Sequence, residues 1–107
     1  MNLPDEVLKF LKDFVGMSKK IHGIKQIRLY GSYAQNRWSE ESDVDIAVFI
    51  EDSKSDHIKD IYKELYIMCY EYPLDVQIQV FSESELLKPM GIIEEVVSYG
   101  IDVTTLV

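Results

Sequence analysis

The sequence predicts an α/β (α+β) fold, a small mixed sheet of three to four strands with helices packed against it. Three observations lead there. Segments with apolar residues at helical spacing alternate with segments that alternate apolar and polar residue by residue. Val44 to Ile50 is almost wholly apolar after Asp45, as a central strand buried on both faces is. A helix-length segment separates that strand from the next, which predicts a parallel pair with a right-handed crossover. The 107 residues, 47% hydrophobic, suit a single domain, residues 1–107, with a modest core.

Each element follows in order. Pro4 opens a first helix, with Asp5 and Glu6 in its first turn, where the helix dipole favours acidic groups. Val7, Leu8, Leu11, Phe14, Val15 and Ile21 recur at helical spacing, and Gly23 is the expected stop. Ile24 to Tyr30 reads as a strand, Ile27 and Leu29 alternating with Gln26 and Arg28. Val44 to Ile50 is the second strand. The acidic stretch Glu51 to Asp56 is expected as a loop, and Asp56 to Glu71 as a long helix that Pro73 stops. Its core face is Ile58, Ile61, Leu65, Met68 and Tyr72.

Leu74 to Phe81 is the third strand, Val76, Ile78 and Val80 opposing Asp75, Gln77 and Gln79. Ser82 with Glu85 forms a capping box for a short helix. Pro89 to Tyr99 is the last helix, with Ile92, Ile93, Val96 and Val97 toward the core and Gly100 at its end. Ile101 to Val107 adds a short edge strand. With the first two strands antiparallel and the next two parallel, Gly31, Asp43 and Asp75 come to one edge of the sheet.

Composition narrows the function. The net charge of −8 and the lack of a Lys/Arg block disfavour direct binding of long nucleic acid. An acidic surface suits a basic protein partner or a site that gathers divalent cations. No run is long enough to span a membrane, and the start, Met-Asn-Leu-Pro-Asp-Glu, lacks the regions of a signal peptide. The single cysteine, Cys69, fits a reducing cytoplasm and is expected in the core.

The chemistry concentrates in Leu29 to Phe49. Asp43 and Asp45 flank Val44 in an extended chain, so their side chains share a face with alpha carbons roughly 6.5–7 Å apart. Two carboxylates that close repel each other, and a hard divalent cation relieves the repulsion. Asp75 supplies a third carboxylate. Three carboxylates can hold two Mg²⁺ ions about 3.5–4 Å apart, the arrangement that clamps attacking and leaving oxygens at phosphorus. Gly31 lets a phosphate approach the backbone, and Ser32 begins a short helix, Ser32 to Asn36, whose N–H groups and hydroxyl suit an anion. Together they describe a site for a nucleoside triphosphate with its Mg²⁺.

These residues resemble a known family. "GSYAQNRWSEESDVDIAV" is similar to the Gly-Ser, ten-residue gap, Asp-x-Asp motif of the DNA polymerase beta-like nucleotidyltransferase superfamily. The chain length, "LDVQI" and the closing "IIEEVVSYGIDV" most resemble its minimal nucleotidyltransferases, the antitoxin partners of HEPN-domain toxins. The resemblance covers nearly the whole chain and implies the nucleotidyltransferase fold. It implies that Gly31 and Ser32 bind triphosphate, that Asp43 and Asp45 ligate Mg²⁺, and that Asp75 is the third carboxylate, helping to activate an attacking hydroxyl. Members of the family usually carry glycine where this chain has Asn36, a residue that tolerates the left-handed conformation.

Other residues keep two readings. Arg37 can neutralise triphosphate as a third nucleotide-binding residue, or pair with Glu40 or Glu41. Trp38 can stack on a base, anchor a partner or pack within its loop. Gln77 and Gln79 contact nucleotide or form a solvated strand face. Tyr62, Tyr66 and Tyr70 form a second aromatic stripe suited to an interface. His22 and His57 read as surface residues.

The function this implies is transfer of AMP from ATP, the substrate, to a hydroxyl, with Mg²⁺ as cofactor. Little chain remains for a lobe that would hold a small molecule, so a protein acceptor fits better. The resemblance implies a HEPN toxin whose tyrosine is adenylylated and silenced. The competing readings are a non-catalytic antitoxin acting by contact and a small-molecule nucleotidyltransferase. A homo-oligomer is compatible with each.

Overall fold

The structure, a computed structural model, describes residues 2–106. Helix α1 spans Asp5–Ser18, strand β1 Ile24–Tyr30 and strand β2 Val44–Ile50. A 3-10 helix, Asp52–His57, leads into α2, Ile58–Cys69, and then β3, Val76–Ser82. A second 3-10 helix, Glu83–Leu87, precedes α3, Ile92–Tyr99, and β4, Ile101–Asp102. The strands form one mixed sheet in the order β3-β2-β1-β4. β1 runs antiparallel to β2, and β2 runs parallel to β3, as the sequence predicts; β4 pairs antiparallel with β1.

β1 and β2 have their expected ends. The helices differ. α1 stops at Ser18, short of Gly23, because the chain tightens into three-residue turns, Lys20 N–H donating to Met17 O and Ile21 N–H to Ser18 O. Glu51 to Asp56 is not simple loop. Its 3-10 turns carry the chain to Ile58, so α2 begins two residues later than expected and ends at Cys69, not Glu71. The last helix begins at Ile92, not Pro89, because Gly91 has φ +61, a left-handed conformation that interrupts a helix.

β3 starts at Val76, not Leu74. The edge strand shrinks to Ile101–Asp102, because the Thr104 hydroxyl then takes over as partner of Ile27 N–H at 2.9 Å. Val107, the end of the expected strand, lies outside the described residues. The capping box of Ser82 and Glu85 is present.

The sheet has two unequal sides. On one, Phe10, Phe14, Leu11 and Val7 of α1 and Ile61 and Leu65 of α2 pack against Ile27, Leu29, Val44, Ile46, Val48 and Ile78. Cys69 lies in this core, and burial pushes its thiol up to about 11, so it is no nucleophile. On the other side only α3 and its flank cover the sheet, with Ile93 and Val96 against Tyr30, Ala47 and Phe49. Ile92 and Val97, expected inward, are exposed, because one short helix offers only one stripe to a narrow patch. β2 is buried on both faces except at Asp45.

Candidate active site

The thinly covered face carries the acidic residues. β2 alternates, so Asp43, Asp45, Ala47 and Phe49 share one side, and Ala47 and Phe49 are packed under α3. Asp43 and Asp45 therefore emerge on the α3 side, beyond the area that α3 covers. Register places Tyr30 of β1 across from Asp45, and Gln77 of β3 on its other flank. Val44 N–H donates to Asp75 O at 2.7 Å, so Asp75 stands beside the start of β2. Gly31, Asp43 and Asp45 are thus brought to one rim, with the backbone of Asp75 at its edge.

Gly31 is there for a steric reason. Its φ is +74, and a Cβ at this position would overlap Asp45 Oδ2 and lie 3.1 Å from Asp45 Cγ. The backbone of β1 turns directly over the Asp45 carboxylate. From there the chain makes one helical turn, Gln35 N–H donating to Gly31 O at 3.1 Å. Arg37 N–H then donates to Ser32 O, and Asn36 N–H to Tyr33 O. This is a Schellman closure with Asn36, φ +57, in the left-handed position usually held by glycine. The turn closes with asparagine in that position.

The electrostatics of the rim are those of crowded acid. Asp45 is pushed up to about 6, first by burial, then by Asp43 and Glu95. Tyr30 is pushed up to about 12 by burial, Asp45 and Glu95. Tyr33 is raised by burial, Glu6 and Asp43. Glu95, Tyr30 and Tyr33 are therefore part of the electrostatic surroundings that sequence reasoning missed. Glu95 lies more than fifty residues from Asp43 and reaches the rim only because α3 folds onto the sheet. Tyr30 and Tyr33 carry a weak signal, since both flank the Gly-Ser step.

Hard carboxylate oxygens under mutual repulsion fit a divalent cation. Among the described residues, however, no three His, Cys, Asp or Glu side chains converge as a metal-binding group. Asp75 is aligned with the Asp43–Asp45 pair by register and is not closed onto it. Arg37 is exposed, its Nη2 donating to Gln35 Oε1 at 2.8 Å, and among the described residues it forms no ion pair with Glu40 or Glu41. Trp38 packs in its loop, stacked on Tyr33 at 5.8 Å, with Nε1 donating to Asn2 O. His22 and His57 are exposed. A cleft of about 910 Å³ opens beside the rim and reaches it through Asp75, with Glu6, Tyr33, Trp38, Glu41 and Tyr72 in its walls.

Residues 12–104 match the family described as "Polymerase beta, Nucleotidyltransferase". This chain belongs to that family. As a nucleotidyltransferase it shares its fold with solved structures. One, from Sulfolobus solfataricus and assigned as a nucleotidyltransferase, has 17% identity and a TM-score of 0.60, over 95% of this chain and 89% of the other. A second, a toxin–antitoxin with AMP-PNP, has 24% identity and a TM-score of 0.51, over 92% and 70%. A third, a mutant of the toxin–antitoxin MntA-HpeT, has 22% identity and a TM-score of 0.50, over 92% and 70%. Among curated proteins none matches. The matched residues, 12–104, include Gly31, Ser32, Asp43 and Asp45.

Proposed function

We propose that this nucleotidyltransferase transfers AMP from ATP to a hydroxyl, most simply a tyrosine, of a partner toxin of the HEPN class, and so acts as an antitoxin in the cytoplasm. The observation that carries the reading is the contact of Gly31 with the Asp45 carboxylate, beside Asp43, on a rim shared with Asp75. The toxin–antitoxin likenesses, one with AMP-PNP, support the choice of nucleotide and partner.

Asp43 and Asp45 would hold Mg²⁺, with Asp75 adding a carboxylate as substrate binds. The ion supplies charge neutralisation at the phosphates. Gly31 and Ser32 take the triphosphate against the backbone, and Arg37 adds positive charge from the loop. The acceptor oxygen attacks the α-phosphorus, and its bond to phosphorus forms as the bond to the pyrophosphate oxygen breaks. The hydroxyl proton passes to Asp75. The cleft beside Asp75 is the route by which the acceptor reaches the rim.

The test is incubation with α-labelled ATP, Mg²⁺ and the product of the adjacent gene. Label is expected on that protein, and Asp43→Asn is expected to lower transfer by at least about 100-fold, the scale of losing one charge-stabilising contact. A second reading, neutralisation by contact, is favoured by the exposed Tyr62 and Tyr66 on α2 and Tyr70 just past its end. Neutralisation that survives Asp43→Asn without label transfer would establish it. Label on a metabolite with no partner present would establish a small-molecule enzyme.

A further inference from the structure

β3 is an edge of the sheet with none of the usual defences. The stretch Val76–Ser82 contains no charge and no proline, and its pairing with β2 runs without a bulge. Asp75 O bonds to β2, so by alternation Gln77 and Gln79 also direct their backbone inward. Val76, Ile78 and Val80 direct theirs outward, where among the described residues nothing bonds them. Beside this edge runs a groove of about 320 Å³ between β3 and α2, its walls including Ile58, Tyr62, Ile78 and Val80. Tyr62 in its wall stacks with Tyr66 at 6.1 Å, and Ile67 and Tyr70 beyond them are 70% and 81% exposed.

We propose that this edge is a homodimer interface, in which β3 pairs antiparallel with β3 of a second copy about a two-fold axis at Ile78. The occupant follows from the strand's own symmetry. Around Ile78 the sequence Val76-Gln77-Ile78-Gln79-Val80 reads the same in both directions. Antiparallel self-pairing therefore sets Ile78 against Ile78, Val76 against Val80 and Gln77 against Gln79.

The residues whose backbone groups point outward meet each other, and each such pair exchanges two hydrogen bonds. The apolar side stays continuous across the junction, and the tyrosine stripes of both copies flank it. Between the paired strands no like charges lie opposite, although the groove walls beside them also carry Lys59 and Lys63. The interface is isologous and closes, so it ends at two copies. It extends the sheet sideways and leaves the Asp43–Asp45 face uncovered, so it stands independently of the catalytic reading. Each copy carries −8, so the dimer tightens as salt screens the repulsion.

Sedimentation velocity of the full chain across a concentration series reads the association. Gln77 and Gln79 are exposed, so charges there leave the fold intact, which circular-dichroism melts check. Gln77→Lys with Gln79→Lys places Lys against Lys twice per dimer and is expected to weaken it about tenfold. Gln77→Lys with Gln79→Glu places Lys against Glu at the same two places and is expected to keep the dimer. A wild-type chain that stays monomeric at about 0.1 mM, or two double variants that associate equally, would overturn the proposal. Pairing of this edge with another protein's strand would appear as a monomer alone and counts against it.

Discussion

Replacing Gly31 by alanine tests the tightest packing in the site. At φ +74 a side chain costs roughly 1–2 kcal/mol of backbone strain. The new Cβ would also overlap Asp45 Oδ2, the tip of a half-buried side chain that can swing aside. That places the steric cost at the low end of overpacking, about 1 kcal/mol. Gly31→Ala is therefore expected to lose ~2–3 kcal/mol.

With an unfolding entropy of about 2.1 cal/mol/K per residue, 107 residues give about 0.22 kcal/mol/K, so Tm falls by about 9–13 °C. Calorimetry of the variant measures it, and repeating the substitution in an Asp45→Ala background isolates the collision. There the loss should shrink by about 1 kcal/mol, leaving the backbone strain. An equal loss in both backgrounds, or a total loss below about 1 kcal/mol, would refute the packing of Gly31 against Asp45.

The rim predicts an inverted pH effect. Asp45 rises from the ordinary 3.8 to about 6, so the folded state holds the proton more tightly than the unfolded chain. Its contribution to stability is full below about 4 and is lost as pH rises through about 6. Asp45→Asn should remove that component from urea-unfolding curves measured across this window, and an unchanged pH slope would contradict it. Asn36 sits at φ +57, so Asn36→Gly should be neutral or stabilising and Asn36→Ala should lose about 1 kcal/mol by the same unfolding assay. Phe10 is fully buried and meets Tyr72 edge-on at 4.9 Å, so Phe10→Ala should cost about 3–5 kcal/mol in a denaturant titration.

The parts of the fold legible beforehand were those with local causes. β1 and β2 appear with their expected ends because polar turns bound both and their apolar pattern is set residue by residue. The helix ends moved because the decisive contacts are of another kind. The 3-10 turns at Asp52–His57 and the left turn at Gly91 are backbone states that periodicity does not report. Ile92 and Val97 have the spacing of a core stripe, yet α3 meets too narrow a patch to bury them.

By itself the sequence determined which carboxylates share a face beside the Gly-Ser step. Asp43 and Asp45 share a face because a strand has a period of two, and the Gly-Ser step precedes them at a spacing any reader can count. Tertiary structure alone decided what that rim feels. Glu95 acts on Asp45 because α3 folds onto the sheet, and Asp45 holds its proton more tightly because packing strips water from it. The free edge of β3 also follows only from strand order. Spacing along a chain is covalent and readable, whereas proximity across elements and the loss of solvent exist only once the chain is packed.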